Sequence, residues 1–357
     1  MGHDRSGFDP VNASRAINET DATLLTLAQR LTVKAGRAVP RRITRLSGGR
    51  NNQVYRLDTD DGEPLVIKRY FRDARDRRDR LGAEWSFITH AWSRGIRSVP
   101  EPLACDAHEQ AGLYGFVPGH KLGAAELKPA HVDAAIDFVL AVNERPRAAL
   151  APASEACFSL AEHIATVERR ISRLTTLDAA APHAAEARRL VTAKLQPAWA
   201  AVKARIVAGA AAAGLATDAV LATDDGCLSP SDFGFHNALA DDAGRLTFLD
   251  FEYAGRDDPA KLVSDFFCQP EVPVPLSLHA HFIERMAQGL RLDSACVTRC
   301  RLLLDAYQIK WTCIILNDFL PLGAARRAYA EADARAERCA EQLAKAEAKL
   351  AALGAIA

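Results

Sequence analysis

The spacing of apolar and polar positions changes character along the N-terminal third of the chain. Between residues 13 and 36, apolar side chains recur at helical intervals behind several plausible capping residues, which predicts a helix. Short runs of β type follow at residues 43–49, 52–59 and 64–71, separated by Gly-Gly and by Asp-Asp-Gly. They predict two tight hairpins in series, which together form a small antiparallel sheet.

A strongly charged stretch, residues 72–95, follows the predicted sheet. Leucine, tryptophan and isoleucine recur in it at helical spacing, so it predicts a helix packed on the sheet. Residues 99–105 and 112–120 then predict two further strands, the second of which ends in a Pro-Gly turn. We interpret this turn as a hinge between two lobes.

From about residue 122 onward the pattern is mainly helical and rich in alanine. Three long helices are predicted first, over residues 131–145, 158–176 and 181–213. One interruption, residues 219–259, carries two short apolar strands around an Asp-Asp-Ala-Gly turn, and helices resume after it. The expected fold is of the α+β class, with a small antiparallel-sheet lobe over residues 1–117 and a larger, mainly helical lobe over residues 118–357.

Composition and charge narrow the class of protein. The 357 residues are 49% hydrophobic and 25% charged, which is enough apolar material for a globular, enzyme-sized protein. Because 45 Lys and Arg residues balance 45 Asp and Glu residues, no polyanionic partner such as nucleic acid is expected. The eight cysteines form no C-x-x-C pair, and no segment has the apolar length of a signal peptide or a membrane span. We therefore expect a cytoplasmic protein with reduced cysteines and no membrane partner.

One group of polar residues in the non-helical interruption has the composition of a catalytic site. The hexapeptide DFGFHN places Asp232 five residues before Asn237, and Asp250 follows in the run TFLDFEYAG after a turn. Phosphoryl transfer requires a set of this kind. One carboxylate orients and deprotonates the attacking hydroxyl, while two oxygen donors hold Mg²⁺ against the phosphates.

The pattern D-x-x-x-x-N followed by a strand-borne Asp resembles the aminoglycoside phosphotransferase and choline kinase family, whose members are relatives of protein kinases. That family has H-G-D-x-x-x-x-N and then [IV]-D-[FW]. The resemblance implies a bilobal protein-kinase-like fold and transfer of the γ-phosphoryl group of ATP, bound with Mg²⁺, to a small-molecule hydroxyl. Sugars, amino sugars, aminoglycosides and choline-like alcohols are the expected acceptors. The resemblance further implies that Asp232 is the catalytic base and that Asn237 and Asp250 are metal ligands.

The tripeptide Asp232-Phe233-Gly234 offers an alternative interpretation, because it spells the D-F-G metal-binding segment of protein kinases. No H-R-D-like loop with a downstream Asn precedes it, however, and the 18-residue step to Asp250 fits a catalytic loop, a hairpin and then the metal-binding Asp. Fourteen residues separate Asp250 from Ser264, which is too few for a regulated activation loop. A protein kinase is therefore the less favoured alternative.

Further residues resemble the nucleotide-binding half of the same family. Lys68 lies on a predicted strand and Glu84 lies sixteen residues later on the charged helix. In kinase-like folds such a pair positions the α- and β-phosphates. Gly48, Gly49 and Asn51 belong to a segment similar to the family's G-G-x-x-N hairpin, whose small residues let backbone N–H groups approach phosphate.

The resemblance also places backbone contacts to adenine at residues 114–117 and so assigns Tyr114 and Phe116 to the nucleotide site. Residues 255–266 resemble the family's G-x-x-D-P-x-x-D-L stretch. On the predicted helix near residues 301–318, mixed aromatic and polar side chains are candidates for contact with the acceptor. The alternative interpretation is that they belong to the core.

Two positions depart from the family pattern. The family's His two residues before the catalytic Asp is Pro230 here, and the acidic hinge residue before the Pro-Gly turn is Gly115. Pro230 motivates an alternative function, that of a nucleotide-binding scaffold or regulator that has lost catalysis. His236, inside the loop, is a candidate for phosphate contact.

Overall fold

The structure is a computed structural model and describes residues 19–46, 52–72, 76, 78–320 and 335–354. The N-terminal lobe consists of helix α1 (Glu19–Lys34), strands β1 (Pro40–Arg45), β2 (Gln53–Thr59) and β3 (Leu65–Arg69), helix α2 (Arg80–Ser93), and strands β4 (Pro102–Asp106) and β5 (Ala111–Gly115). The strands form one antiparallel sheet in the order β1-β2-β3-β5-β4. The predicted antiparallel sheet and the helix packed on it are therefore present.

The two helices pack on opposite faces of this sheet because successive side chains of a strand point to opposite sides. Leu113 of β5 joins Ile67 of β3 in an apolar cluster with the buried side of α1. The next residue, Tyr114, faces α2, where its ring lies 6.0 Å from that of Trp85 between centroids. The alternating direction of successive side chains along each strand thus determines which face of the sheet each helix covers.

The boundaries in the N-terminal lobe differ from the predicted ones by a few residues. Strand β1 begins at Pro40, before the predicted start at residue 43. The segment predicted as one strand over residues 112–120 contains the end of β5 and a separate short strand, β6 (His120–Lys121). Between them Gly119 has a φ of +140°, and a Cβ there would lie 2.6 Å from the carbonyl oxygen of Ala240. Glycine therefore lets the connection pass close to the second lobe, and the boundary at residue 117 stays a prediction.

The remainder of the chain is mainly helical. Its described α-helices are α3 (Pro129–Val142), α4 (Leu160–Arg173), α5 (Ala184–Leu190), α6 (Gln196–Ala212), α7 (Pro259–Cys268), α8 (His279–Leu290), α9 (Ser294–Ile315) and α10 (Arg335–Ala351). The single helix predicted over residues 181–213 is in fact α5 and α6 joined by a π-helical turn, Val191–Leu195. Every residue of α7 is buried, so this helix forms the centre of the lobe. Across the described ranges, no helix combines the length and the apolar character needed to cross a membrane.

The non-helical interruption predicted over residues 219–259 holds four short strands instead of two. They are β7 (Cys227–Ser229), β8 (Ala238–Ala240), β9 (Leu246–Phe248) and β10 (Gly255–Asp257). Strands β8 and β9 form the predicted hairpin, and β6 pairs with the outer edge of β8. Strand β7 pairs with β10 in an antiparallel arrangement. Strands of three residues are too short to show alternation, which is why the sequence pattern did not predict β7 and β10 separately.

Candidate active site

Lys68, near the end of β3, connects three parts of the molecule. Its Nζ donates hydrogen bonds to Oε2 of Glu84 at 2.6 Å and to Oδ1 of Asp250 at 2.5 Å. Glu84 belongs to α2, and Asp250 follows β9 in the second lobe. Lys68 and Glu84 are buried, whereas 38% of the Asp250 side chain is exposed. Asp250 is therefore the member of this group that a ligand can approach.

Burial and neighbouring charges shift the pKa values of Lys68 and Glu84 in opposite directions. Burial alone would lower the pKa of Lys68, but the negative charges of Asp250 and Glu84 outweigh it and hold this pKa above its ordinary value. Burial raises the pKa of Glu84 to about 7, because the attraction of Lys68 offsets only part of the loss of hydration. Lys68 is therefore a cation at physiological pH, and burial makes Glu84 a weaker acid than an ordinary glutamate.

The loop between β7 and β8 carries Asp232. Ser231, directly before it, has a φ of +69°, a left-handed conformation that is uncommon for a residue with a side chain and that turns the chain sharply. The side-chain nitrogen of Asn237 donates a hydrogen bond to the backbone carbonyl of Asp232 at 3.0 Å and so closes the loop. Because this bond uses the amide nitrogen, the carboxamide oxygen is the atom of Asn237 that can bind a cation.

Backbone pairing of the β8–β9 hairpin brings Asn237 close to Asp250. The N–H of Leu249 donates to the carbonyl of Asn237 at 2.8 Å, and Ala238 pairs with Phe248 in the ladder. Asp250 itself has a φ of +65°. A left-handed residue with a side chain is strained, and strain of this kind is concentrated at functional sites.

A group of phenylalanines anchors the backbone beside both aspartates. Phe233 follows Asp232 and Phe251 follows Asp250, and both rings are buried. Each packs against Phe138 of α3, at 5.8 Å and 6.1 Å between ring centroids. Each of these two aspartates is thus followed by a ring that packs into the same core. This packing explains the Phe of the tripeptide Asp232-Phe233-Gly234 without a metal-binding D-F-G role. The aspartate that pairs with Lys68 is Asp250 and not Asp232.

The oxygen donors at this position suit a magnesium ion shared between protein and phosphate. Asp250 supplies a carboxylate and Asn237 supplies a carboxamide oxygen, both of them hard ligands. Within the described part of the chain, no cluster of three or more His, Cys, Asp or Glu side chains could hold a metal by itself. Mg²⁺ is commonly bound by one or two carboxylates together with substrate phosphates, so a site with few protein donors fits it.

Glu252, two residues after Asp250, joins the two lobes through buried hydrogen bonds. Its Oε1 accepts from Nη1 of Arg80 at 2.6 Å, and its Oε2 accepts from Nδ2 of Asn52 at 2.6 Å. The side chains of Glu252 and Arg80 are each 2% exposed. Arg80 also donates to the hydroxyl of Tyr253 at 2.7 Å. We call Glu252, Arg80 and Asn52 the interlobe clamp, because one carboxylate holds two elements of the N-terminal lobe against the segment that carries Asp250.

Other residues predicted to contact the nucleotide are located only in part. Three of them lie outside the described residues: Gly48, Gly49 and Asn51. Tyr114 is paired with strands on both sides, and its hydroxyl is 2.8 Å from that of Tyr70 in the interior. The N–H of Phe116 donates to the carbonyl of Pro64 at 3.3 Å. The assignment of Tyr114 and Phe116 to the nucleotide site stays a prediction.

Polar side chains of α9 that were candidates for acceptor contact are engaged inside the protein. Nζ of Lys310 donates to the two carboxylate oxygens of Asp265 at 2.8 Å and 2.9 Å, and Nε1 of Trp311 donates to the same carboxylate at 2.8 Å. The hydroxyl of Tyr307 is 2.7 Å from Nδ1 of His163. These contacts favour the alternative interpretation, in which the side chains belong to the core.

The interlobe clamp was not predicted from the sequence. A signal for Glu252 exists, because a glutamate inside the apolar run TFLDFEYAG must find a partner if the run is buried. Asn52 directly follows Asn51, the residue that was predicted to contact the nucleotide. Arg80 is one of several arginines in a charged stretch, and nothing in the sequence distinguishes it from the others.

Comparisons with known proteins identify a family for this chain. Residues 42–271 match the model of a family described as the phosphotransferase enzyme family. No curated protein matches the chain.

Solved structures share the fold. A spectinomycin phosphotransferase in complex with ADP and spectinomycin superposes with a TM-score of 0.56 at 14% identity, covering 91% of this chain and 97% of that one. A choline kinase from Cryptosporidium parvum Iowa II gives 0.56 at 12% identity, covering 94% and 97%. A choline kinase from Streptococcus pneumoniae gives 0.56 at 14% identity, covering 92% and 99%. These similarities confirm the predicted kinase-like fold, and the family match, which spans more than half of the sequence, shows that the chain belongs to the phosphotransferase enzyme family.

Proposed function

We propose that this protein is an ATP-dependent kinase that transfers the γ-phosphoryl group to a hydroxyl of a small molecule. The observation that carries the proposal is the contact of Lys68 with Asp250 at 2.5 Å, in a fold that also pairs Asp250 with the loop of Asp232 and Asn237. In this proposal Lys68 is the cation, Asp250 and Asn237 are the oxygen donors, and Asp232 is the carboxylate base. The presence of ADP in the similar spectinomycin phosphotransferase supports a nucleotide as the phosphoryl donor.

In this proposal the residues around Lys68 bind the phosphates. Lys68 shares its positive charge with the α- and β-phosphates, while Glu84 holds the ammonium group in place from α2. Asp250 and Asn237 bind the magnesium ion, which when bound neutralises negative charge on the transferring group. The partial exposure of Asp250 leaves it accessible for this role.

Asp232 is the proposed base that accepts the proton of the attacking hydroxyl. One third of its side chain, 33%, is exposed, so an acceptor can reach the carboxylate. The hydrogen bond from Asn237 to the carbonyl of Asp232 joins the base and the metal ligand in one loop. Such a loop fixes the attacking oxygen relative to the phosphorus, and orientation of this kind accounts for a large share of the rate in phosphoryl transfer.

The acceptor is proposed as a sugar, an amino sugar, an aminoglycoside or a choline-like alcohol. Proteins of the same fold are named for spectinomycin and for choline, which both carry hydroxyl groups. A cytoplasmic location is part of the same proposal. It agrees with the eight cysteines, all of which are described and none of which forms a disulfide.

The test is ADP release by the purified protein with Mg-ATP across a panel of these acceptors, with Asp232→Asn measured in parallel. We expect transfer to at least one acceptor class, and a loss of about 10² to 10⁴ in turnover for Asp232→Asn with nucleotide binding retained. Full turnover by Asp232→Asn would refute the role of this residue. Binding of ATP without transfer to any acceptor would favour the alternative of a scaffold that has lost catalysis.

A further inference from the structure

His236 lies beside the proposed base, in the loop that also carries Asn237. Its Nε2 is 3.3 Å from Oδ1 of Asp232, and 16% of the His236 side chain is exposed. Within the described part of the chain, no other side chain forms a hydrogen bond with the Asp232 carboxylate. The imidazole is therefore the group that restrains rotation of this carboxylate.

The surroundings of His236 hold its ring in this position. Phe235, the preceding residue, is fully buried and packs on Phe266 of α7 at 5.5 Å between ring centroids. Gly234 is extended, with a φ of 169°, so its backbone does not require glycine. A Cβ on Gly234 would instead lie 2.9 Å from Nδ1 of His236 and 3.0 Å from Cγ of Gln269. The missing side chain at Gly234 thus provides the space that the imidazole occupies.

The hydrogen bonds available to the ring define what it does. A carboxylate accepts hydrogen bonds, so the contact with Oδ1 requires a proton on Nε2. Nδ1 is buried and has no hydrogen-bond partner among the described residues, so a second proton there would be buried without an acceptor. The ring therefore carries a proton on Nε2, from which it donates to Oδ1.

We propose that His236 is a positioning residue for Asp232, an inference that rests on the proposed function. By donating to Oδ1, His236 fixes the carboxylate plane and leaves Oδ2 to accept the proton of the attacking hydroxyl. The backbone of Asp232 is held separately, by Asn237 on its carbonyl. Pro230, two residues before Asp232, has no side-chain donor that could substitute for the imidazole.

The test compares His236→Leu with His236→Gln in the full-length protein. Leucine removes the donor, whereas the glutamine amide nitrogen can reach the place of Nε2 and donate to the same oxygen. We expect His236→Leu to lower kcat about 10- to 100-fold, with KM for ATP and the Mg²⁺ concentration for half-maximal rate within about twofold, since a misplaced reacting group costs up to about 10²-fold. We expect His236→Gln to retain kcat within about threefold.

A matched control and a second variant separate positioning from folding. His281→Leu removes another His–Asp contact, between Nε2 of His281 and Asp133 at 2.8 Å on the surface, and should leave kcat unchanged. Gly234→Ala displaces the imidazole without removing it. This variant should lower kcat as His236→Leu does, without the recovery expected for His236→Gln. Its melting temperature should equal that of the parent protein.

Three results would overturn the inference: an unchanged kcat in His236→Leu, an equal loss in the Gln and Leu variants, or a loss accompanied by a higher Mg²⁺ requirement, which would indicate disturbance of Asn237. Asp232→Asn is assayed beside them. If Asp232→Asn loses turnover while His236→Leu does not, the positioning role alone fails. If Asp232→Asn keeps full turnover, the role of Asp232 as base fails and this inference fails with it. If the parent protein transfers phosphate to no acceptor, the proposed function itself fails.

Discussion

Replacing Glu252 by alanine should destabilise the protein and weaken catalysis, because Glu252 joins the lobes at the centre of the interlobe clamp. Removing one member of a buried ion pair typically costs about 3–5 kcal/mol, since the remaining charge stays buried. Arg80 would keep hydrogen bonds to Asp76 at 2.9 Å and to Tyr253 at 2.7 Å, so we expect the lower end, about 3 kcal/mol. With an unfolding entropy of about 2.1 cal/mol/K per residue over 357 residues, this corresponds to a melting temperature lower by roughly 4 °C.

The assay is thermal and urea denaturation of Glu252→Ala beside Glu101→Ala. Glu101 pairs with Arg37 at 3.1 Å in the same lobe, but both side chains are about one third exposed, at 38% and 31%. Exposed pairs contribute about 0–1 kcal/mol, so Glu101→Ala should scarcely change the free energy of unfolding. If the two variants lose equal stability, the clamp does not connect the lobes energetically.

The same variant should also lose turnover well below its melting temperature. Without Glu252, Asn52 and Arg80 no longer hold β2 and α2 against the segment of Asp250, and Lys68 loses its fixed position relative to that carboxylate. Displacements of this size can cost up to about 10²-fold in rate, so we expect a loss of about 10- to 100-fold in kcat/KM for ATP. A destabilised variant with the parental kcat/KM would show that the clamp is structural only.

Two further predictions concern single buried groups. Lys68→Met should weaken binding of Mg-ATP by about 10- to 150-fold, because hydrogen bonds to charged groups contribute about 1.5–3 kcal/mol. Calorimetric titration with Mg-ATP measures this affinity. An unchanged affinity would contradict the proposed contact of Lys68 with phosphate. Although burial would lower the pKa of His163, hydrogen bonding to Asp258 raises this pKa to about 9. The stabilising contribution of protonated His163 is therefore complete below about pH 6.5 and is lost as the pH rises through about 9. The free energy of unfolding should therefore decline by up to about 3 kcal/mol across that window in the parent protein, but not in His163→Gln, and parallel pH profiles of the two proteins would contradict this assignment.

The sequence was sufficient to predict the two-lobed α+β fold because its periodicities are long and clear. The runs around Lys68 and Tyr114 are short stretches of β type next to turn residues, and they appear as β3 and β5. The charged stretch after the sheet contains α2, whose Glu84 reaches Lys68 as the resemblance implied. Local pattern and spacing therefore sufficed for these elements, although the π-helical turn that divides residues 181–213 into α5 and α6 was not predicted.

What the sequence could not predict depends on contacts between distant segments. Glu252 and Asn52 are 200 residues apart, and their hydrogen bond exists only once the lobes have come together. The strands β7 and β10 have three residues each and are joined by hydrogen bonds between distant parts of the chain, on either side of the loop of Asp232. No local sequence pattern predicts such strands. The inward orientation of Lys310 was open as well, because a lysine on a helix is usually exposed and its buried partner Asp265 lies on another helix.

Two buried ionic groups, one around Lys261 in the second lobe and one around Lys68 in the cleft, differ in how far their charged partners are buried. Beneath the loop, Lys261 donates to Asp257 at 2.7 Å, and both side chains are almost completely buried. Asp257 ends β10 opposite Cys227 of β7, the strand that leads into Asp232, so this buried pair helps to fix where the loop of Asp232 begins. Buried pairs of this kind add little to stability, and their effect here is to fix geometry. Lys68 instead faces an Asp250 that is partly exposed, so its charge can be redistributed to a ligand without leaving an uncompensated ion in the interior. The first group therefore supports the loop of Asp232, while the second has the exposure that the proposed exchange of a protein partner for phosphate requires.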